Sequence, residues 1–175
     1  MRKTIKLILI VFGLVVLSVS SFAQITASAN ATATIVTPIG LAKVDDMNFG
    51  NLAVTSTAGW VVLDPDATQT RHAFNGVTLP VNIGTVQAAY FTVSGTPGYT
   101  FAITLPASCT ITRLTGTETM LVDDFTSTPT PTGVLSGGGT SDLYVGATVH
   151  VDIITNNPSG TYVSGTAFDV TVNYN

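Results

Sequence analysis

The chain has 175 residues, a net charge of −4 and only 9% charged side chains. Three of its six basic residues fall within the first six positions; from residue 24 onward Lys43, Arg71 and Arg113 stand against ten acidic residues, a net charge near −7. So few cations cannot neutralise a phosphate backbone or hold an anionic bilayer, which argues against nucleic acid and acidic lipid as partners.

Residues 1–23 read as a secretory signal peptide. Arg2, Lys3 and Lys6 open it, Leu7 to Val19 is apolar, and Ser21-Phe22-Ala23 places small residues where a signal peptidase cuts. A retained N-terminal anchor is the alternative. No Cys lies next to the cut, so no lipid anchor is expected, and no C-terminal sorting tail is expected either. The expected destination is the periplasm, the cell surface or the medium. The chain beyond the leader is long enough for one domain with a core of its own. It is rich in Thr, Val and Gly, a strand-and-turn composition.

The exported part begins with unbroken alternation. Ile25, Ala27, Ala29, Ala31, Ala33 and Ile35 share one parity, and Gln24 to Thr34 the other. Period two of this kind predicts a strand with one apolar face. Pro38 ends or bends it. Residues 31–37 are expected to be the domain's first strand, and residues 24–30, about 23 Å if extended, to be left over. In residues 44–54 the apolar parity switches at Gly50-Asn51, which predicts a kink or bulge. Residues 59–65 form a short strand, with a polar loop after it to Arg71. Val77, Leu79, Val81 and Ile83 alternate, with Pro80 marking an edge strand. Ala89, Phe91 and Val93, then Tyr99, Phe101, Ile103 and Leu105, flank a Pro97-Gly98 turn and predict a hairpin over residues 86–105. Short strands are expected at residues 109–114 and 120–125, and a Pro- and Gly-rich loop at residues 127–139. Alternation returns from Leu143 to Ile153, and the chain closes with Phe168, Val170, Val172 and Tyr174 on one face. No helical periodicity spans a useful window after the leader. Eight to ten short alternating strands predict an all-β, antiparallel sandwich of immunoglobulin-like type.

Residues able to carry chemistry are sparse. His150 and Asp152 share a face but are only two ligands, and a solvated face is the simpler reading. His72 reads as surface. Asp45-Asp46 and Asp64-Pro65-Asp66 lack the spacing of a calcium loop. Asp123-Asp124 reads as solvated, and Glu118 is the only Glu available for paired-acid chemistry. There is no Gly-x-Ser-x-Gly elbow, and Gly137-Gly138-Gly139 lacks the Lys of a phosphate loop. Asn30-Ala31-Thr32 matches a glycosylation triplet, a pattern that chance supplies in a Thr-rich chain. Cys109 is the single Cys, so no internal disulfide is available, and it reads as a small buried hydrophobe. No enzyme activity, cofactor or metal is expected.

Several stretches together resemble a known family: ATATIVTPIG, MNFGNLAV, WVVLDP, FTVSGTPGYTFAITLP, the Gly160-x-Tyr162-x-x-Gly165-Thr166 pattern and the Val170-Thr-Val-Asn-Tyr174 ending. They resemble the secreted bacterial family known as domain of unknown function 4402. More loosely, Asn48-Phe49-Gly50-Asn51 and the terminal Tyr resemble spore-coat-U-type proteins and archaic chaperone–usher pilins. That resemblance implies a sandwich missing one strand, filled first by a periplasmic chaperone and then, at an outer-membrane usher, by the next subunit. It implies residues 24–30 as the donor, with Ile25, Ala27 and Ala29 in successive pockets, and Phe168, Val170, Val172 and Tyr174 beside the acceptor groove. The sequence departs from those pilins in having Val36-Thr37-Pro38 where they carry a paired Cys. The function expected is a non-enzymatic structural subunit of a surface or pilus-like assembly, built from copies of itself or related subunits. The alternative is a complete sandwich that binds a glycan or other surface ligand through loops around Trp60, residues 64–70 and residues 127–139.

Overall fold

The computed structural model describes residues 24–175, so the expected leader lies outside the described residues. Two units are distinct: one ends at Ile35, the other is Val36–Asn175. In the first, residues 24–35 form no strand and their side chains are exposed, Ile25 to 94%. The alternation there is therefore not realised as pairing. The expected first strand at residues 31–37 is a correction: β1 is Gly40–Asp45, beyond Pro38. Alanines gain little from burial, whereas Ile39 and Leu41 pack against a core.

The second unit is all-β and antiparallel, as the sequence predicts. Its remaining strands are β2 (Asn48–Phe49), β3 (Ala53–Leu63), β4 (Arg71–Thr78), β5 (Val86–Gln87), β6 (Ala89–Ser94), β7 (Thr100–Thr104), β8 (Ser108–Arg113), β9 (Thr119–Thr128), β10 (Thr132–Val134), β11 (Thr140–Val151), β12 (Tyr162–Ser164) and β13 (Thr171–Tyr174). The large sheet runs β1-β6-β11-β9-β8-β12, with β3 also on β11 and β4 on β3. A small sheet, β10-β7-β13, makes the second layer, and β2 pairs with β5.

Strand β11 is the axis of the large sheet. Its first half pairs with β6 and its second half with β3, while β9 lies along the other edge. The neighbour changes at Gly146. A Cβ there would lie 2.1 Å from the carbonyl oxygen of Leu63, so only glycine lets β3 leave the sheet at that point. Leu143, Val145, Ala147, Val149 and Val151 all point inward and are buried. Two core clusters result. One gathers Ala89, Phe91, Val93, Phe101, Leu135, Leu143, Val145 and Val172; the other gathers Val61, Val77, Val122, Ala147, Val149 and Val151. Met47 and Phe125 touch both.

Three further expectations are corrected. The hairpin over residues 86–105 is not one. The turn is real, with Gly98 at φ 75° and Tyr99 N–H bonded to Thr96 O at 3.2 Å. Yet β6 joins the large sheet and β7 the small one, so the turn carries the chain between layers. Both arms bury an apolar face, and the sandwich satisfies them from opposite sides. Backbone bonds Gly95 N to Gly139 O and Gly98 N to Leu135 O hold the arch open.

The edge strand expected over residues 77–83 sits earlier, as β4. Past Pro80 the chain is loop, with Val81 and Ile83 exposed. Arg71 is the reason the loop closes there. Its guanidinium donates to the carbonyls of Phe49, Asn51 and Ile83. Residues 127–139, expected as one loop, contain the end of β9 and all of β10. Gly133 of β10 lies over the Phe101 ring, where a Cβ would come within 2.2 Å. The kink expected near Gly50 is present: Gly50 has φ 69° and separates β2 from β3.

Candidate functional site: an open seam between the sheets

The two sheets end in edge strands on the same side. Among the described residues β1 pairs only with β6, and β13 only with β7. β1 and β13 approach one another across this side but share no ladder. The seam between them has an apolar floor. Ile39, Leu41 and Met47 from the β1 side, and Phe168, Val170 and Tyr174 from the C-terminal side, pack on the first core cluster while staying partly exposed. Phe168 sits against Phe125, ring centroids 5.0 Å apart. Phe168 and Val170 precede β13 and have no ladder partner, although their parity continues that of Val172 and Tyr174.

The four residues expected beside a groove are thus brought together on one apolar face. Val172 is buried; the other three are partly open.

One end of the seam is tied shut. The Tyr174 hydroxyl donates to Thr37 O at 2.8 Å and accepts from Thr96 N–H at 2.7 Å. Thr37 N–H donates to Thr96 Oγ1 at 3.0 Å. The three residues lash the segment before β1 to the β6–β7 arch and to the last strand. The sequence singles out Tyr174 by its apolar parity and its place in the C-terminal ending, not by its hydroxyl. Its polar tip is the more specific feature, as expected of a Tyr with a buried body and a wet end. Thr37 and Thr96 carry no signal in a chain this rich in Thr.

Ile25, Ala27 and Ala29 lie in the first unit, without a strand.

The remaining candidates have local partners. His150 pairs with Asp123 at 2.7 Å, not with Asp152. Asp152 accepts from the Asn156 amide and from Ile153 N–H; these bonds hold its carboxyl below the ordinary 3.8. Asp66 Oδ1 takes bonds from the Thr68 hydroxyl and from the backbone of Thr68 and Gln69, which fixes a turn and also lowers its pKa. Asp64 is engaged with His72 at 3.1 Å. Among the described residues no three His, Cys, Asp or Glu converge as a metal set. Cys109 packs on the second core cluster, and burial raises its thiol pKa, which fits an inert hydrophobe.

A cleft of about 500 Å³ opens beside Trp60, but neither residues 64–70 nor residues 127–139 line it.

The family model described as Domain of unknown function (DUF4402) matches residues 39–174. The chain belongs to the DUF4402 family. That match spans β1 to the end of β13, so both sides of the seam lie within the family's own domain. No curated protein and no solved structure matches the chain.

Proposed function

We propose that this DUF4402 chain is a non-enzymatic structural subunit of a cell-surface or pilus-like assembly that polymerises by donor-strand complementation. The observation that carries the reading is the seam. Two edge strands face each other across core residues that are only partly covered, a geometry that one added strand completes. A strand laid there gains main-chain hydrogen bonds from β13 and covers Phe168 and Val170. The occupant is residues 24–30 of a second copy or a related subunit. Seven residues match the seven from Phe168 to Tyr174, about 23 Å in each case. Ile25, Ala27 and Ala29 then enter successive positions and set the register. In this reading the leader exports the chain, and a periplasmic chaperone and an outer-membrane usher hold the seam before the donor arrives.

The test compares residues 24–175 with residues 31–175. The longer form is expected to form oligomers that resist dilution, and the shorter form to remain monomeric and to be stabilised by a synthetic peptide of residues 24–30. Two monomers of equal stability, with no response to the peptide, rule the reading out. Ile25→Asp places an unpaired charge in the first pocket and is expected to abolish assembly without changing the monomer's melting temperature.

A further inference from the structure

From residue 24 onward the chain has three Lys and Arg side chains. Lys43 pairs with Asp46 at 2.6 Å, and Arg113 lies 3.6 Å from Glu118. Arg71, at the start of β4, has no carboxylate partner among the described residues. Its charge is held by backbone instead. Nη1 donates to the carbonyls of Phe49 and Asn51, and Nη2 to that of Ile83. Gly50 leaves the room for this, since a Cβ there would lie 2.8 Å from Nη1. Nε–H and the second N–H of Nη2 donate to no atom among the described residues. These two share one edge of the guanidinium, the edge that takes a carboxylate through two parallel bonds.

Arg71 lines an open cleft of about 480 Å³, within the range usual for small-ligand sites. Gln69 and Gln87 line it as well, joined amide to amide at 2.7 Å, and Leu79, Ile83 and Val86 supply apolar wall. No Asp or Glu lines it. Gln69 is held at φ 59°, with its N–H bonded to the Asp66 carboxylate at 2.9 Å, so its amide is presented by a fixed turn. Burial pulls the Arg71 pKa below its ordinary value, as expected of a cation short of counter-charge. Such a cleft selects three properties in a ligand. It needs one carboxylate for the free guanidinium edge, an apolar group for Leu79 and Ile83, and an N–H donor for the Gln69 oxygen, which accepts no bond among the described residues. A doubly charged phosphate suits it less, because a single cation would face it in a chain that is acidic overall. An acylated amino acid with an apolar side chain has all three properties.

We propose that the Arg71 cleft binds the α-carboxylate of an acylated apolar amino acid, the chemistry shared by a free acyl amino acid and by the last residue of a peptide chain. The carboxylate takes two bonds from Nε and Nη2 of Arg71, the apolar side chain lies against Leu79 and Ile83, and the amide N–H donates to Gln69. None of the residues that form the floor of the seam lines this cleft, so it works with the seam open or filled.

The test titrates nitrogen-15-labelled residues 24–175 with N-acetyl-L-leucine and follows the Arg71 Nε–H and the Gln69 and Gln87 side-chain amides by NMR. These signals are expected to shift saturably in the millimolar range. N-acetyl-L-leucinamide, which has the same shape without the charge, is expected to bind about tenfold more weakly or worse. Acetyl-dialanyl-leucine separates the two sources: tighter binding than N-acetyl-L-leucine assigns the cleft to chain ends, and weaker binding assigns it to free acyl amino acids. Arg71→Lys keeps the charge but loses the two-bond edge, and is expected to weaken binding by about tenfold. Arg71 also holds three carbonyls, so the variant that leaves them untouched is Leu79→Asp, with Leu79→Asn as its neutral control. Leu79 is 38% exposed, and the acid is expected to weaken binding further than the amide does, with circular dichroism unchanged in both. Absence of any shift at Arg71 and Gln69 overturns the proposal. So does equal binding of the leucinamide, or equal binding by folded Leu79→Asp and Leu79→Asn.

Discussion

Strands β11 and β13 are written in the same alternating pattern and end up in opposite circumstances. β11 is flanked along both edges, and all five of its inward side chains are at most 3% exposed. β13 has one neighbour, and the apolar residues leading into it, Phe168 and Val170, have none in the sheet. Alternation fixes which face of a strand turns inward. It does not fix how many neighbours the strand finds, because that depends on where the rest of the chain goes. The contrast separates a finished part of the domain from a part that is open to one more strand.

Damage to β11 is expected to have the largest effect. Leu143 is fully buried, so Leu143→Ala is expected to cost about 2–5 kcal/mol, seen as a lower midpoint in urea denaturation of the isolated chain. The same experiment on Val172→Ala in β13 is expected to show a smaller loss, about 2 kcal/mol at most, since two methyl groups leave a site already open at its edge. If Val172→Ala destabilises as much as Leu143→Ala, the seam is not open in solution.

Tyr174→Phe probes the difference at one end of the seam. It removes the hydroxyl shared by Thr37 and Thr96 but keeps the ring. The expected cost is about 1 kcal/mol, with faster amide exchange at Thr37 and Thr96 and no change at β11.

The smallest effect belongs to Cys109, beside the closed half of the domain. Burial raises its folded pKa above the ordinary 9.0, so the neutral thiol is favoured in the folded state. The unfolded chain therefore loses its proton first as pH rises. This contribution is fully present below pH 9.0 and declines as pH climbs from there toward the folded value. Native chain at neutral pH is expected to alkylate more slowly than chain in urea, and Cys109→Ser is expected to remove that slice of the alkaline stability profile.

Local pattern was enough for the fold class, the inward parity of β11 and of Phe168 to Tyr174, the break at Gly50 and the Pro97-Gly98 turn. Each rests on the two-residue period of a strand or on one residue's allowed backbone angles, and both are properties of a few neighbouring residues. The family was legible in those same stretches. Everything else waited on the packing of distant segments. The Pro97-Gly98 turn reads the same whether its arms pair or part, and long-range bonds from residues 135–139 part them. Residues 31–35 alternate as well as any strand, but their alanines bury too little to hold a place in a sheet. The stacked pair of Trp60 and Phe74 joins residues of two strands whose register shifts between Val54 and Gly59. The lashing of Thr37, Thr96 and Tyr174 spans 137 positions of chain. Contacts of that range come from the closure of two sheets over one core, and no local pattern records where the closure stops.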